Sequence, residues 1–318
     1  MGTVTPPETR LTIAVLTFRR PDDLAVVLPA LIDQARQVAD LVSARVLVVD
    51  NDPQASARAA VEAVGDSVDD VAVVYVSETT PGIAAGRNRA LDESSGADFL
   101  VFIDDDERPS ASWLRELVRL QGERGAEAVV GPVVSEFAAT PDPWITAGDF
   151  FVRRRLATGT AVEVAATNNL LLDLAFVRRH GLAFDRDLGA FGGEDTLFTR
   201  QIVARGGAIL WCAEAQVTDV VPLKRLTRRW VTQRAFSSGN GWSLTSLLLT
   251  RAPAGRVRLR LTLTAQGAVR VAGGIARVAR GVVTRSLRDR AKGVRTIARG
   301  AGMVSGAWGY AYQEYRRP

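Results

Sequence analysis

Cysteine and histidine occur once each in the 318 residues, as Cys212 and His180. One thiol excludes an internal disulfide framework or an all-thiolate zinc site. One imidazole excludes a His-rich metal centre and speaks against a Ser-His-Asp triad. Long apolar runs are also missing: the quietest stretch, 235–250, is interrupted by Ser, Gly and Asn, so no bilayer span is expected. The N-terminus carries no basic-then-apolar leader, and a cytoplasmic location is expected. Lysine is nearly absent, with only Lys224 and Lys292. The arginine bias is therefore read as charge and not as guanidinium-specific recognition.

What is present describes an ordinary globular protein. Hydrophobic residues at 47% and charged residues at 24% exclude a disordered chain. The length suits one large domain, or one domain with an appendage. The net charge of +5 hides a division. Leu223–Pro318 holds 20 Lys and Arg against Asp289 and Glu314, a net of +18, whereas Met1–Pro222 is at −13.

The acidic part alternates strands and helices. Leu11–Phe18, Arg45–Asp50, Val71–Ser77 and Phe99–Ile103 are short runs apolar on both faces. A helix opens at Pro21-Asp22-Asp23, where proline and acids suit the positive helix end, and another spans about Ala84–Glu93. This pattern predicts a parallel sheet covered on both sides, with ligands beyond the carboxyl ends of its strands. Ala126–Phe137 predicts a further strand, Ala138–Glu163 an irregular stretch, and Asn169–Leu172 a short strand. The glycine-rich loop Leu188–Asp195 then leads into a helix over Thr196–Arg205, and Ala208–Val221 supplies one or two strands. Cys212 is expected as a small buried hydrophobe and His180 as the end of a short helix.

Chemistry concentrates at Asp104-Asp105-Asp106-Glu107, directly after an apolar run. Four adjacent carboxylates repel one another unless they are solvated or hold a cation, and hard oxygen ligands suit Mg²⁺ or Mn²⁺. A solvated acidic turn is the competing reading. Glu194-Asp195 at a helix start reads equally as a complement to the helix dipole. Pro81–Asn88 alone is a glycine-rich turn or a phosphate-approaching loop, and Asp50 alone an ordinary turn carboxylate.

In this order, Thr17–Pro21, Val48–Asn51, Pro81–Asn88, Phe102–Asp106, Thr167–Asn169 and Gly193–Asp195 together resemble the family 2 glycosyltransferases of the GT-A fold. The resemblance spans Leu11–Val221, and its most specific elements are the D-x-D motif and the downstream Glu-Asp pair. It implies a Rossmann-like nucleotide-binding α/β sheet with helices on both faces. It implies an inverting transferase that uses a nucleotide-diphosphate sugar, UDP being the expected nucleotide, with Mg²⁺ or Mn²⁺. The implied donor-binding residues are Thr17, Asp50 at the base, Arg87 near base or diphosphate, Asp104, Asp105, and Asn168 and Asn169 at the sugar. Asp104 and Asp106 would hold the metal, and Asp195 would be the general base with Glu194 beside it. The sequence departs from the family at Asp219, where many members carry a histidine that joins the metal shell; Asp219 is a candidate third ligand.

Met1–Pro222 is thus expected as the catalytic domain and Leu223–Pro318 as a basic, mainly helical extension. Between Arg270 and Arg299 cations recur mostly every three or four positions, against an apolar set of Val271, Ile275, Val278 and Val282. Leu287, Ala291, Val294 and Ala298 continue it after a phase slip, and Trp308, Tyr310, Tyr312 and Tyr315 follow. One reading is peripheral attachment to an anionic inner leaflet, near a glycan or lipid-linked acceptor in cell-surface polysaccharide or glycolipid assembly. The other is helices packed on the protein. Nucleic acid is not the expected partner, since no reading motif accompanies the charge. Two other functions compete: a nucleotide-sugar-binding protein without turnover, and a nucleotidyltransferase, which would need a basic glycine-rich loop that Thr17–Pro21 is not.

Overall fold

The computed structural model describes residues 8–65, 68, 70–189 and 192–312. Ala190 and Phe191 of the glycine-rich loop, and Tyr315 of the aromatic tail, lie outside the described residues. The chain opens with β1 (Arg10–Thr17) and α1 (Pro21–Gln37), whose first turn holds Pro21, Asp22 and Asp23 as expected. It continues through β2 (Ser43–Asp50), α2 (Arg58–Gly65), β3 (Val73–Ser77), α3 (Ile83–Glu93) and β4 (Phe99–Asp104). Next come β5 (Glu107–Pro109), α4 (Trp113–Arg124), β6 (Ala128–Val130), β7 (Val133–Phe137) and α5 (Pro143–Ala147). β8 (Asn169–Asp173), α6 (Leu174–Arg179), α7 (Glu194–Ala204), β9 (Ile209–Trp211) and β10 (Val217–Val221) lead to the C-terminal helices α8 (Arg228–Leu249), α9 (Pro253–Val283) and α10 (Leu287–Ala307).

The chain forms two compact bodies: Met1–Val134, Arg153–Arg186 and Phe198–Asp219 make the first, and Ser135–Val152, Asp187–Leu197 and Val220–Pro318 the second. In the first, seven strands stand in the order β3-β2-β1-β4-β8-β6-β9. Successive residues alternate between two cores, because side chains along a strand point to opposite faces. Ile13, Val15, Val46, Val48, Val101 and Ile103 fill one, with Leu24, Leu28 and Leu117 from α1 and α4. Ala14, Leu47, Val49, Leu100 and Phe102 face the other.

The four strands expected to form a parallel sheet do so, and a later strand runs against them. β1 runs parallel to β2 and β4, and β2 to β3, but β8 is antiparallel to both β4 and β6. β8 re-enters after the long excursion from β7, and Asn-Leu-Leu-Leu-Asp is apolar on both faces whichever way it runs. The pattern therefore carries no direction. The Ala126–Phe137 run is two strands, interrupted at Gly131-Pro132. A Cβ on Gly131 would lie 1.9 Å from the Ala215 carbonyl, so the backbones there approach too closely for any side chain. Cys212 is fully buried just beyond β9, and His180 ends α6 with its ring against Phe176.

The second body rests on glycines. Gly267, Gly274 and Gly281 recur every seventh residue of α9 and form its seam with α10. A Cβ on Gly267 would sit 2.7 Å from the Gly300 carbonyl, and one on Gly274 2.8 Å from that of Gly293. α10 meets α8 in the same manner, since a Cβ on Gly302 would lie 2.0 Å from the Phe236 carbonyl. Asn240 of α8 donates to Ser305 Oγ and the Tyr310 carbonyl and accepts from the Tyr312 N–H, fixing the end of the chain. Asp289 joins the hairpin ends by accepting from Arg277 and Arg280.

Neighbouring glycines of α9 should therefore respond oppositely to alanine. Gly273 is exposed and a Cβ there meets nothing within 4 Å, so Gly273→Ala should stabilise by about 1 kcal/mol through helix propensity. Gly274→Ala drives a methyl to 2.7 Å from Ile297 and 2.8 Å from a backbone carbonyl. Overpacking of that kind costs roughly 1–3 kcal/mol, enough to outweigh the propensity gain. Denaturant titration of the two variants reads the opposite signs.

Candidate active site

Three parallel strands end at one edge of the sheet. Thr17 of β1 pairs with Asp50 of β2, and Leu16 pairs with Asp104 of β4. The residues following each strand are thereby gathered in the crevice where open α/β sheets take ligands.

The acidic cluster beyond β4 is internally ordered, and its members differ. Glu107 is buried, and its carboxylate accepts the Asp104 N–H at 3.1 Å and Asn168 Nδ2 at 2.5 Å. Burial, with Asp104 and Asp106 close by, holds Glu107 well above the usual carboxylate range. Burial also pushes Asp104 up to about 6; Arg87 opposes this, while Asp106 and Asp219 add to it. Asp105 is pushed up to about 7 by burial, against Arg20 and the Thr17 hydroxyl. Arg20, the last residue before α1, donates from Nη1 to Asp105 Oδ1 at 2.9 Å and Asp106 Oδ2 at 2.7 Å. The cluster's carboxylates outnumber the cations that act on them, Arg20 and Arg87 and, at Glu107, Arg153.

Other expected residues divide. Arg87 is buried on α3, with its guanidinium over the Phe184 ring, 5.5 Å from the centroid. Asp219 of β10 lies directly opposite Glu107 of β5, and accepts from Arg153 Nη2 at 2.7 Å. Asn168 stands beside Glu107 with its Oδ1 buried and without a partner, as is the neighbouring Thr167 Oγ1. Asn169 is a correction to the expected sugar contact. It is fully buried, donates to the Pro132 and Ala215 carbonyls at 3.2 and 2.8 Å, and accepts from Trp113 Nε1 at 2.8 Å. Those three bonds occupy both ends of its amide, which ties β8 to the turns around it. Arg20 and Arg153 carry no expectation from sequence: one lies in a turn and the other in an aperiodic stretch.

Asp50 and Asn51 organise the neighbouring loops. Asp50 is fully buried; Oδ1 accepts the Asp52 N–H, and Oδ2 the Ala57 N–H and the Tyr75 hydroxyl. Asn51 donates to the Glu78 and Thr80 carbonyls and accepts from the Gly82 N–H, bridging to the turn before α3. Gly82 has φ +118°, which favours glycine at that entry.

In the second body, Glu194 and Asp195 open α7 in the first turn, where acids suit the helix dipole. Glu194 is buried, whereas Asp195 is partly exposed. Asp195 Oδ1 accepts from the Thr196 N–H at 2.5 Å and its hydroxyl at 3.2 Å.

Among the described residues no three carboxylate, thiol or imidazole groups are already gathered as a cation cage. The donor chemistry nevertheless fits a hard divalent ion. Such ions take one or two carboxylates and complete their shell with substrate phosphates and water. Asp104 and Asp106 supply oxygen ligands in a crevice where carboxylates outnumber the arginines that act on them.

Acids gathered at one end of a sheet of this order are the arrangement that the resemblance to the GT-A fold implies. The comparisons place it more narrowly. The family model for glycosyl transferase family 2 matches residues 12–176, more than half of the chain. The succinoglycan biosynthesis protein ExoM of Rhizobium meliloti (strain 1021) is 37% identical over 235 residues, 74% of each chain. The chain belongs to glycosyltransferase family 2. In fold it is similar to the mannosyltransferase PcManGT of Pyrobaculum calidifontis, solved with GDP-Man and Mn²⁺. That match has a TM-score of 0.61 and 19% identity, over 96% of this chain and 90% of that one. It is also similar to S. aureus TarS 1-349 in complex with UDP, at a TM-score of 0.51 and 16% identity, over 91% and 90% of the two chains.

Proposed function

We propose that this glycosyltransferase moves a sugar, with inversion, from a nucleotide-diphosphate sugar to a hydroxyl of a glycan or lipid-linked acceptor. UDP is the proposed nucleotide and cell-surface polysaccharide assembly the proposed setting. The work is done at the cytoplasmic face of the membrane, to which the basic second body attaches peripherally. The observation that carries the reading is the cluster Asp104–Glu107, with two carboxyls pushed up to about 6 and about 7. Carboxyls so crowded repel a bare diphosphate and favour one that arrives with Mg²⁺ or Mn²⁺. Support also comes from ExoM, named for succinoglycan biosynthesis, and from PcManGT, solved with GDP-Man and Mn²⁺.

Each residue has a proposed role. Asp104 and Asp106 hold the ion, which when bound offsets charge on the departing diphosphate. Arg87 faces Asp104 and lies near the diphosphate or base. Arg20 fixes Asp105 and Asp106, Glu107 fixes the backbone at Asp104, and Thr17 meets the donor from the end of β1. Asn168 offers its Oδ1 to the sugar, whereas Asp50 acts on the base through the loop that it orders. Asp219, paired with Arg153, is the third ligand if that pair opens. Asp195 takes the proton of the attacking hydroxyl, with Glu194 beside it at the start of α7.

A screen of UDP-, GDP- and dTDP-sugars for Mn²⁺-dependent hydrolysis tests the reading. Asp106→Ala should weaken Mn²⁺-dependent donor binding by at least the roughly 10–100-fold that loss of an outer-shell partner costs a metal site. Metal-free binding should change little. Equal donor affinity of the wild type with and without EDTA would remove the metal from the scheme.

A further inference from the structure

The expected apolar stripe of the basic segment is not the one the fold leaves outside. Val271 and Val278 turn toward α10: a Cβ on Gly300 would meet Val271 at 3.0 Å, and one on Gly293 would meet Val278 at 2.5 Å. Because glycines close this seam backbone to backbone, few large side chains are needed to bury it. Leu263 is buried with Leu259 packed nearby, and several other bulky aliphatics of α9 are left over. Val257, Leu261, Ile275 and Val282 are between 56% and 61% exposed. With exposed Ala268 they fall at intervals of four and then seven residues, on one side of the helix roughly a quarter-turn from the glycines. From Val257 to Val282 that side is about 38 Å long, at 1.5 Å per residue.

Its surroundings indicate what covers it. Arg258 and Arg260 flank the first turns on either edge, and exposed Arg285 follows the last. Trp308, 59% exposed, donates from Nε1 to Thr264 Oγ1 with Arg260 over its ring, so an amphipathic aromatic stands at the same edge. Among the described residues from Leu223 onward Asp289 is the sole acid, and Arg277 and Arg280 already share it. A second copy laid on this face would bring equally basic edges together. An anionic surface complements both the apolar strip and its arginines.

We propose that the outward face of α9, from Val257 to Val282, lies in the headgroup–acyl boundary of an anionic bilayer. This rests on the peripheral attachment proposed above and names the surface that performs it. No described helix is long and apolar enough to cross a membrane, so α9 lies in the plane of the interface. Its aliphatic residues enter the boundary while the arginines meet lipid phosphates.

Sedimentation of the full chain with mixed phosphatidylglycerol–phosphatidylcholine vesicles tests it. The double variant Leu261→Gln, Ile275→Gln alters exposed positions only, and Val26→Gln, at an exposed site on α1, is the control. The wild type and the control should sediment with anionic vesicles and much less with phosphatidylcholine alone. The double variant should partition roughly tenfold or more weakly, with donor binding retained as the check on folding. If the double variant sediments like the wild type, attachment stands and this surface falls. A wild type that ignores anionic vesicles overturns both. A wild-type dimer that the double variant dissociates, with vesicle binding unchanged, assigns the face to a second copy.

Discussion

Asp195→Asn should retain donor binding and lose ~10²–10⁴-fold in turnover, the span for removing a general base. The geometry makes this substitution informative. Asp195 Oδ1 accepts both Thr196 bonds, and an asparagine oxygen can accept the same two. Orientation is therefore kept while basicity is removed. Glu194, one residue earlier, is buried, and so is the less accessible of the two carboxylates. A displacement with inversion needs the acceptor proton to leave as the new bond forms, and an amide cannot take it. Turnover with a soluble acceptor, measured beside donor affinity, separates the two effects. Near-normal turnover in Asp195→Asn with an inactive Glu194→Gln would move the role to Glu194.

The first four strands and the acids at their ends are legible in sequence for a simple reason. Strands buried on both faces must be apolar throughout, so Val46–Val49 and Leu100–Ile103 stand out, and the polar residues at their ends mark the crevice. The same property hides direction, which is why antiparallel β8 is not legible. Arg20 and Arg153 are hidden because their partners are distant in sequence: Arg20 reaches Asp105 and Asp106, and Arg153 reaches Asp219. The C-terminal helices mislead for another reason. Amphipathic reasoning places valine and isoleucine against the protein, whereas in α9 the buried positions are mostly glycines and Ile275 and Val282 face outward. The right quantity to read was the seven-residue spacing of Gly267, Gly274 and Gly281.

The paired asparagines show how adjacent residues with one expected role separate in the fold. Asn169→Ala should cost on the order of 2–5 kcal/mol of stability, because it orphans two buried groups at once. Trp113 Nε1, in a side chain that is fully buried, loses its acceptor, and the Ala215 carbonyl loses its donor, whereas the Pro132 carbonyl keeps the Val217 N–H. Each buried group left unsatisfied costs about 1–3 kcal/mol, and loss of such a network belongs to the large-effect class of single substitutions. No water can be expected to make good both, because the site lies where Gly131 admits no Cβ beside the Ala215 carbonyl and Asn169 Nδ2. Asn168→Ala removes one bond, that to Glu107 Oε1, from a residue at the crevice. Its cost in stability should be about 1 kcal/mol, with the main loss in donor binding. Thermal unfolding and donor titration of the two variants give a crossed pattern: stability falls most in the first, affinity in the second. A well-folded Asn169→Ala protein whose only defect is weak donor binding would return Asn169 to the sugar.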